Sequence, residues 1–345
     1  MKALVLEHTK QIAVKDVPAP AVVGDNDVKI KINTVGICGS DCHYYQYGKI
    51  GSFVVEKPMV LGHEASGTIV EIGNNVKNLK VGDRVCMEPG IPNMSSIQTL
   101  SGFYNLDPEV RFWATPPIDG CLCETVVHPA AFTFKLPDNV SYAEGAMVEP
   151  LAIGMQAATK AEIKPGDIGL VYGAGTIGIL TALAALSGGC SDVIICDLFD
   201  EKLAIAKQYP GLHPINSKNK EELAAKVCEL TSGMGVNVAF ECTGAAPVIL
   251  NVTEHVAPSG TVVLVGMPIE PTPFDIVAAQ AKEITFKTIF RYANMYPKTI
   301  ALLASGKLDV KPLISARFKF DDVVDAYERA AEGRATDVKI VIEME

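Results

Sequence analysis

Ile168-Gly169-Leu170-Val171-Tyr172-Gly173-Ala174-Gly175-Thr176-Ile177-Gly178 joins a short apolar run to a GxGxxG turn, and Thr176 to Ser187 continues as an apolar helix pattern. An apolar run bounded by glycine reads as a buried strand, and glycines at this spacing open a helix beside a dinucleotide pyrophosphate. Gly173 serves the tight turn, Gly175 the close approach of the phosphates, and Gly178 the packing of helix on strand. A second apolar strand, Val193-Ile194-Ile195-Cys196-Asp197, ends on a carboxylate 19 residues after Gly178, where the fingerprint expects an acceptor for ribose hydroxyls. Strand, turn, helix and carboxylate together are far more specific than the glycines alone.

Asp197 also bears on cofactor choice. A carboxylate there accepts two ribose hydroxyls and repels a 2′-phosphate, and Leu198 and Phe199 supply no compensating cation. Lys202 is the nearby cation and reads as part of a solvated helix face, so NAD is favoured over NADP. Further along, Glu201 to Gln208 is a helix, Val236 to Glu241 and Thr261 to Gly266 are strands, and Pro247 to Val256 is helix-compatible. Apolar strands alternating with helices imply a parallel sheet covered on both faces, a doubly wound α/β domain. Glu241 and the Val265-Gly266-Met267 turn fall at carboxyl ends of strands, where such folds bind ligands.

The chain before Pro150 has a different character. Asp27 to Asn33 alternates polar and apolar residues, Ala65 to Gly73 is a second strand closed by Asn74-Asn75, and Val81 to Val85 is a turn feeding a third. Frequent Pro and Gly suit a loop-rich β domain. The tail carries helices near Tyr296 to Ser305 and Asp321 to Ala331. Its last strand, Asp337-Val338-Lys339-Ile340-Val341-Ile342, is expected to return to the first domain. The expected division is 1–152 with 290–345, around an inserted 153–289.

A net charge of −10 without a Lys/Arg cluster argues against nucleic acid or an anionic membrane as partner. Nine scattered cysteines are an odd number and form no disulfide framework, which suits a reducing compartment. Glu7 comes too early for a signal-peptide core, and the apolar stretch from Ile177 to Leu186 is too short to span a bilayer. A cytoplasmic protein is expected.

Cys38-Gly39-Ser40-Asp41, Gly62-His63-Glu64 and Glu149-Pro150 supply a thiolate, an imidazole and two carboxylates. Singly, these suit a structural thiol, a core histidine and surface carboxylates. Together, with Cys38 and His63 beside glycine in loops closing β segments, they are the ligand types that hold zinc with a position left open.

From end to end the chain resembles the zinc-containing medium-chain dehydrogenases, and within them the sorbitol/xylitol (polyol) type. Gly36-Ile37-Cys38-Gly39-Ser40-Asp41-Cys42-His43-Tyr44, Leu61-Gly62-His63-Glu64 and Val148-Glu149-Pro150-Leu151 carry the general likeness. Ala114-Thr115-Pro116-Pro117-Ile118-Asp119-Gly120 and Phe290-Arg291-Tyr292 carry the polyol likeness. The resemblance implies a GroES-like β-rich catalytic domain and a Rossmann coenzyme domain. It implies that Cys38, His63 and Glu64 bind a catalytic zinc, with Glu149 holding the metal's water or approaching the metal directly. Ser40 and His43 match proton-relay positions, and Tyr44, Arg291 and Tyr292 match substrate-pocket positions. Ile177, Asp197, Lys202, Val265, Gly266, Met267 and Phe290 match the cofactor side, and a homotetramer is implied.

One departure stands out. Many family members bind a second, structural zinc with four cysteines after Glu88-Pro89-Gly90, where this chain has Asn93, Ser96, Thr99 and Asp107. Without thiolates these make a poor tetrahedral site, so one zinc per chain is expected. Cys121-Leu122-Cys123 reads as a strand with both cysteines packed on one face. The implied reaction is reversible oxidation of a secondary hydroxyl of a polyol (sorbitol, xylitol or galactitol type) to the ketose, with NAD as hydride acceptor. Alternatives are another secondary alcohol, such as a vicinal diol or amino-alcohol, or a non-catalytic dinucleotide-binding protein on the same fold.

Overall fold

In the computed structural model, which describes residues 1–20 and 23–344, the chain divides into two units, Met1–Glu149 with Tyr296–Glu345, and Pro150–Met295. The edges differ by a few residues from the expected ones, so Phe290, Arg291 and Tyr292 belong to the second unit. The switch falls at Tyr296, whose hydroxyl donates to Met87 O at 2.9 Å and anchors the helix Tyr296–Ala304 in the first unit.

Within the first unit the Asp27–Gly36 strand is the hub. Its even-numbered positions point into the core (Val28, Ile30 and Ile32 are essentially inaccessible), as the period-2 pattern requires. Glu64–Ile72 pairs with it antiparallel, bringing Gly36 opposite Glu64. On its other edge Thr125–Pro129 pairs with Asp27 to Lys31, and the final strand, Lys339–Glu343, pairs with Thr34 to Gly36. Lys339–Glu343 is thereby laid beside the turn that leads to Cys38.

The segment Cys121-Leu122-Cys123 is not a regular strand. It bends against residues 60–62, with Gly120 N, Cys121 N and Leu122 N donating to Val60 O, Gly62 O and Leu61 O, and only an isolated bridge joins Ala3 to Cys123. All three side chains are buried in the apolar core, so the cysteines pack as expected although the backbone does not.

Among the described residues the second unit holds a six-stranded parallel sheet in the order Leu212–Asn216, Asp192–Asp197, Ile168–Tyr172, Val236–Glu241, Val256–Leu264, Thr285–Thr288. This order places the glycine turn, which follows Ile168–Tyr172, at the point where strand order reverses. The helix Ala246–Leu250 is shorter than the pattern over 247–256 suggests, because Val256 already pairs with Val236 in the sheet. No helix among the described residues is long and apolar enough to cross a membrane.

Candidate active site

Cys38 occupies the N-cap of the helix Gly39–Tyr47 in extended backbone, φ −93° and ψ 151°. Asp41, in the first turn, accepts from Cys38 N at 3.2 Å and from Gly62 N at 3.3 Å. One fully buried carboxylate thus ties the Cys38 turn to the loop carrying His63. His63 Nδ1 lies 3.5 Å from the same carboxylate and makes no hydrogen bond within the protein. Burial disfavours a protonated imidazole, but the charges of Asp41 and Cys38 outweigh it and hold the His63 pKa well above its ordinary value.

Glu64 begins the strand Glu64–Ile72 and is 1% exposed. Lys339 Nζ donates to its two oxygens at 2.7 and 2.6 Å and to Ile37 O at 2.9 Å. Burial pushes the lysine pKa down, yet Glu64 and Cys38 push it further up, so the ammonium stays charged.

One ligand atom from each of Cys38, His63 and Glu64 lies within 4.8 Å of the others. A sulfur, a nitrogen and an oxygen at such separations fit a single tetrahedral ion, and three protein ligands leave the fourth position open. A half-buried thiol, a buried imidazole and a buried carboxylate converging on one point are what a cation there would complete.

Glu149, in the first turn of the helix Val148–Ala161, is buried beside this group without joining it. Its charge is felt at Lys339 and at Glu88. Glu88 is itself buried and accepts from the Tyr104 hydroxyl; burial raises its pKa to about 7 despite that bond, with Glu149 adding to the rise. Ser40 and His43 are half-buried on the Cys38 helix, the His43 ring centroid 4.7 Å from that of Tyr47. Tyr44 is 3% exposed and packs in the core.

In the second unit the glycine turn has the form that a pyrophosphate needs. Gly173 has φ +98°, open to glycine at little cost, and a Cβ at Gly178 would lie 1.7 Å from Gly173 O. A Cβ at Gly175 would meet nothing within 4 Å, so there is room beside the N-terminus of the helix Thr176–Gly188, where the first-turn amides and the positive end of the dipole favour an anion. Asp197 Oδ2 accepts from Ala174 N at 2.7 Å and Oδ1 from Phe199 N at 3.1 Å, fixing the carboxylate at the strand end. Lys202 Nζ lies 5.2 Å from the Phe199 ring centroid, within the same corner. Val265 N and Gly266 N both donate to Glu241 O at 2.8 Å, which orders the turn to Met267. Arg291 adopts φ +54° and stacks its guanidinium 4.9 Å from the Phe290 ring centroid, while Tyr292 is 2% exposed.

Two residues that hold the metal group in place, Asp41 and Lys339, have no role assigned by the motifs. Asp41 stands three residues after Cys38, the spacing of a capping box, which was the available signal. Lys339 is a charged residue at a buried position of an otherwise apolar strand.

Residues 24–138 match the family model "Alcohol dehydrogenase GroES-like domain", and residues 176–305 match "Zinc-binding dehydrogenase". The chain is 72% identical to D-xylulose reductase of Morganella morganii over 96% of its own length and 98% of the relative's. It is 43% identical to sorbitol dehydrogenase of Rattus norvegicus, covering 98% of this chain and 95% of that one. Among solved structures, 2R,3R-butanediol dehydrogenase of Bacillus subtilis superposes with TM-score 0.90 at 31% identity, over 100% of this chain and 99% of that one.

Proposed function

Since the chain belongs to the zinc-containing medium-chain alcohol dehydrogenases, among their polyol dehydrogenases, we propose that it interconverts xylitol and D-xylulose with NAD. The observation that carries this reading is the convergence of Cys38, His63 and Glu64 within reach of one ion, in a chain that also carries a complete dinucleotide turn. Per turnover one secondary CH–OH becomes C=O, one hydride passes to NAD and one proton goes to solvent.

Cys38, His63 and Glu64 would hold the zinc, whose Lewis acidity makes the alcohol proton easier to remove. Glu149, buried at a helix start, would hold a water at the reacting hydroxyl. Ser40 and His43, both half-buried, would pass the released proton outward. Arg291 offers several donors, which suits a substrate with many hydroxyls. Gly173, Gly175 and Gly178 with the helix dipole would seat the pyrophosphate, and Asp197 would take the ribose hydroxyls and repel a 2′-phosphate. Ile177, Lys202, Val265, Gly266, Met267 and Phe290 would complete the cofactor side, and Tyr44 and Tyr292 the substrate side.

We also infer a single zinc per chain. Where four cysteines would stand, Asp107 accepts from Asn93 N at 2.5 Å, Asn93 Nδ2 donates to Glu109 at 2.8 Å, and the Ser96 and Thr99 hydroxyls are 2.9 Å apart. Hydrogen bonds among these side chains close the loop that a metal would otherwise tie. A homotetramer in the cytoplasm is part of the same reading, and sedimentation and cell fractionation test it. The substrate test is a steady-state panel of xylitol, sorbitol, galactitol and butanediol with NAD and NADP. Xylitol with NAD is expected to give the highest kcat/KM; a higher value with butanediol would instead place the chain with the vicinal-diol enzymes.

A further inference from the structure

We propose that Lys339 is a positioning residue of the metal site: it holds the Glu64 carboxylate in the orientation from which Glu64 binds zinc. The inference rests on the zinc reading above. The last strand of the chain would then set the affinity for the metal.

The geometry is specific. An ammonium has three N–H donors, and Lys339 spends them on Glu64 Oε1, Glu64 Oε2 and Ile37 O, at 2.6 to 2.9 Å. Among the described residues nothing else donates to the Glu64 carboxylate. Gly36 closes the opposite side, since a Cβ there would lie 2.2 Å from Glu64 Oε2. The carboxylate is therefore wedged between a backbone and a cation, with little freedom to turn.

Lys339 is itself fixed by backbone pairing. Ile37 N donates to Ile340 O at 2.9 Å, Ser315 Oγ donates to Lys339 O at 3.0 Å, and Val341 lies opposite Gly36. Side-chain exposures of 3% for Lys339 and 1% for Glu64 mean that neither charge has water as an alternative partner. Removing the ammonium leaves a buried carboxylate uncompensated and free to rotate away from Cys38 and His63. Partners of this kind, behind a metal ligand, commonly set affinity.

The test measures zinc affinity by chelator competition on the full chain, together with the cobalt-substituted spectrum and thermal unfolding of the metal-free form. Lys339→Met is expected to weaken zinc about 10–100-fold and to alter the cobalt spectrum, and Lys339→Arg to recover most of the loss. In a Glu64→Ala background Lys339→Met is expected to cause no further loss, because the group it positions is gone. Should Lys339→Met fail to fold, Lys339→Gln keeps two donors and is expected to lose less affinity in the same direction. Unchanged zinc affinity in a folded Lys339 variant, or an equal loss in the Glu64→Ala background, overturns the inference and leaves the metal reading intact. A wild-type chain that holds no zinc overturns both.

Discussion

At His63 a proton competes with the metal: burial lowers the ring's pKa, but Asp41 and Cys38 raise it well above its ordinary value, so protonation opposes zinc binding. Below the His63 pKa, each unit of acidification is expected to weaken zinc about tenfold per displaced proton. The check is zinc retention against a chelator from neutral to acid pH: it should fall steadily as pH drops, and Asp41→Asn should move the onset of the fall to lower pH. Replacing a ligand itself, by Cys38→Ser or His63→Ala, is expected to release the metal and lower kcat/KM by roughly 100-fold or more. On the cofactor side, Asp197→Ala removes a carboxylate worth about 1.5–3 kcal/mol to ribose hydroxyls. NAD affinity should therefore drop about 10–100-fold while discrimination against NADP narrows, as read by KM for each cofactor. Cys38, His63 and Glu64 were legible as a ligand set through the family resemblance, because a thiol, an imidazole and carboxylates beside glycine do not by themselves choose between Glu64 and Glu149. Asp41 and Lys339 were not, because their roles depend on a helix cap and on a strand that pairs with residues some 300 positions earlier.

Elements were legible where burial is uniform. Ile168–Tyr172 and Val236–Glu241 are apolar through most of their length and stand at the expected residues, whereas Leu212–Asn216 contains His213 and Pro214 and gives no apolar run. Thr285–Thr288 is a short strand at the sheet edge, half-exposed, and carries no periodic signal for the same reason. At the glycine turn a Cβ on Gly178 would collide with Gly173 O, so Gly178→Ala must push the helix from the strand. Loss of NAD binding by calorimetry, with a lower melting temperature, is the expected result. Glu88 supplies a pH-dependent term between elements, with a folded pKa of about 7 against an ordinary 4.5. A carboxyl raised in this way binds more protons folded than unfolded within that window, so its contribution falls as pH rises from 4.5 to 7. Glu88→Gln is expected to flatten the loss of stability from pH 5 to 8 by up to about 3 kcal/mol, as measured by denaturant melts.

On the scale of the whole chain, a first unit that takes up residues from both ends is paired in sequence with an inserted coenzyme unit. The metal ligands, their buried carboxylate and their buried lysine all lie in the first unit, and the dinucleotide turn lies wholly in the second. Local periodicity separates a β-rich region from a doubly wound one, but the edges of the insertion depend on long-range anchors such as Tyr296 on Met87, which no local pattern encodes. The central claim is that one zinc, held by Cys38, His63 and Glu64, is required for polyol oxidation. The most direct measurement strips the metal with a chelator, titrates zinc back, and follows NADH formation from xylitol against bound zinc. Activity rising linearly and saturating at one zinc per chain is the predicted result; turnover that persists without zinc, or saturation only at two, would contradict it.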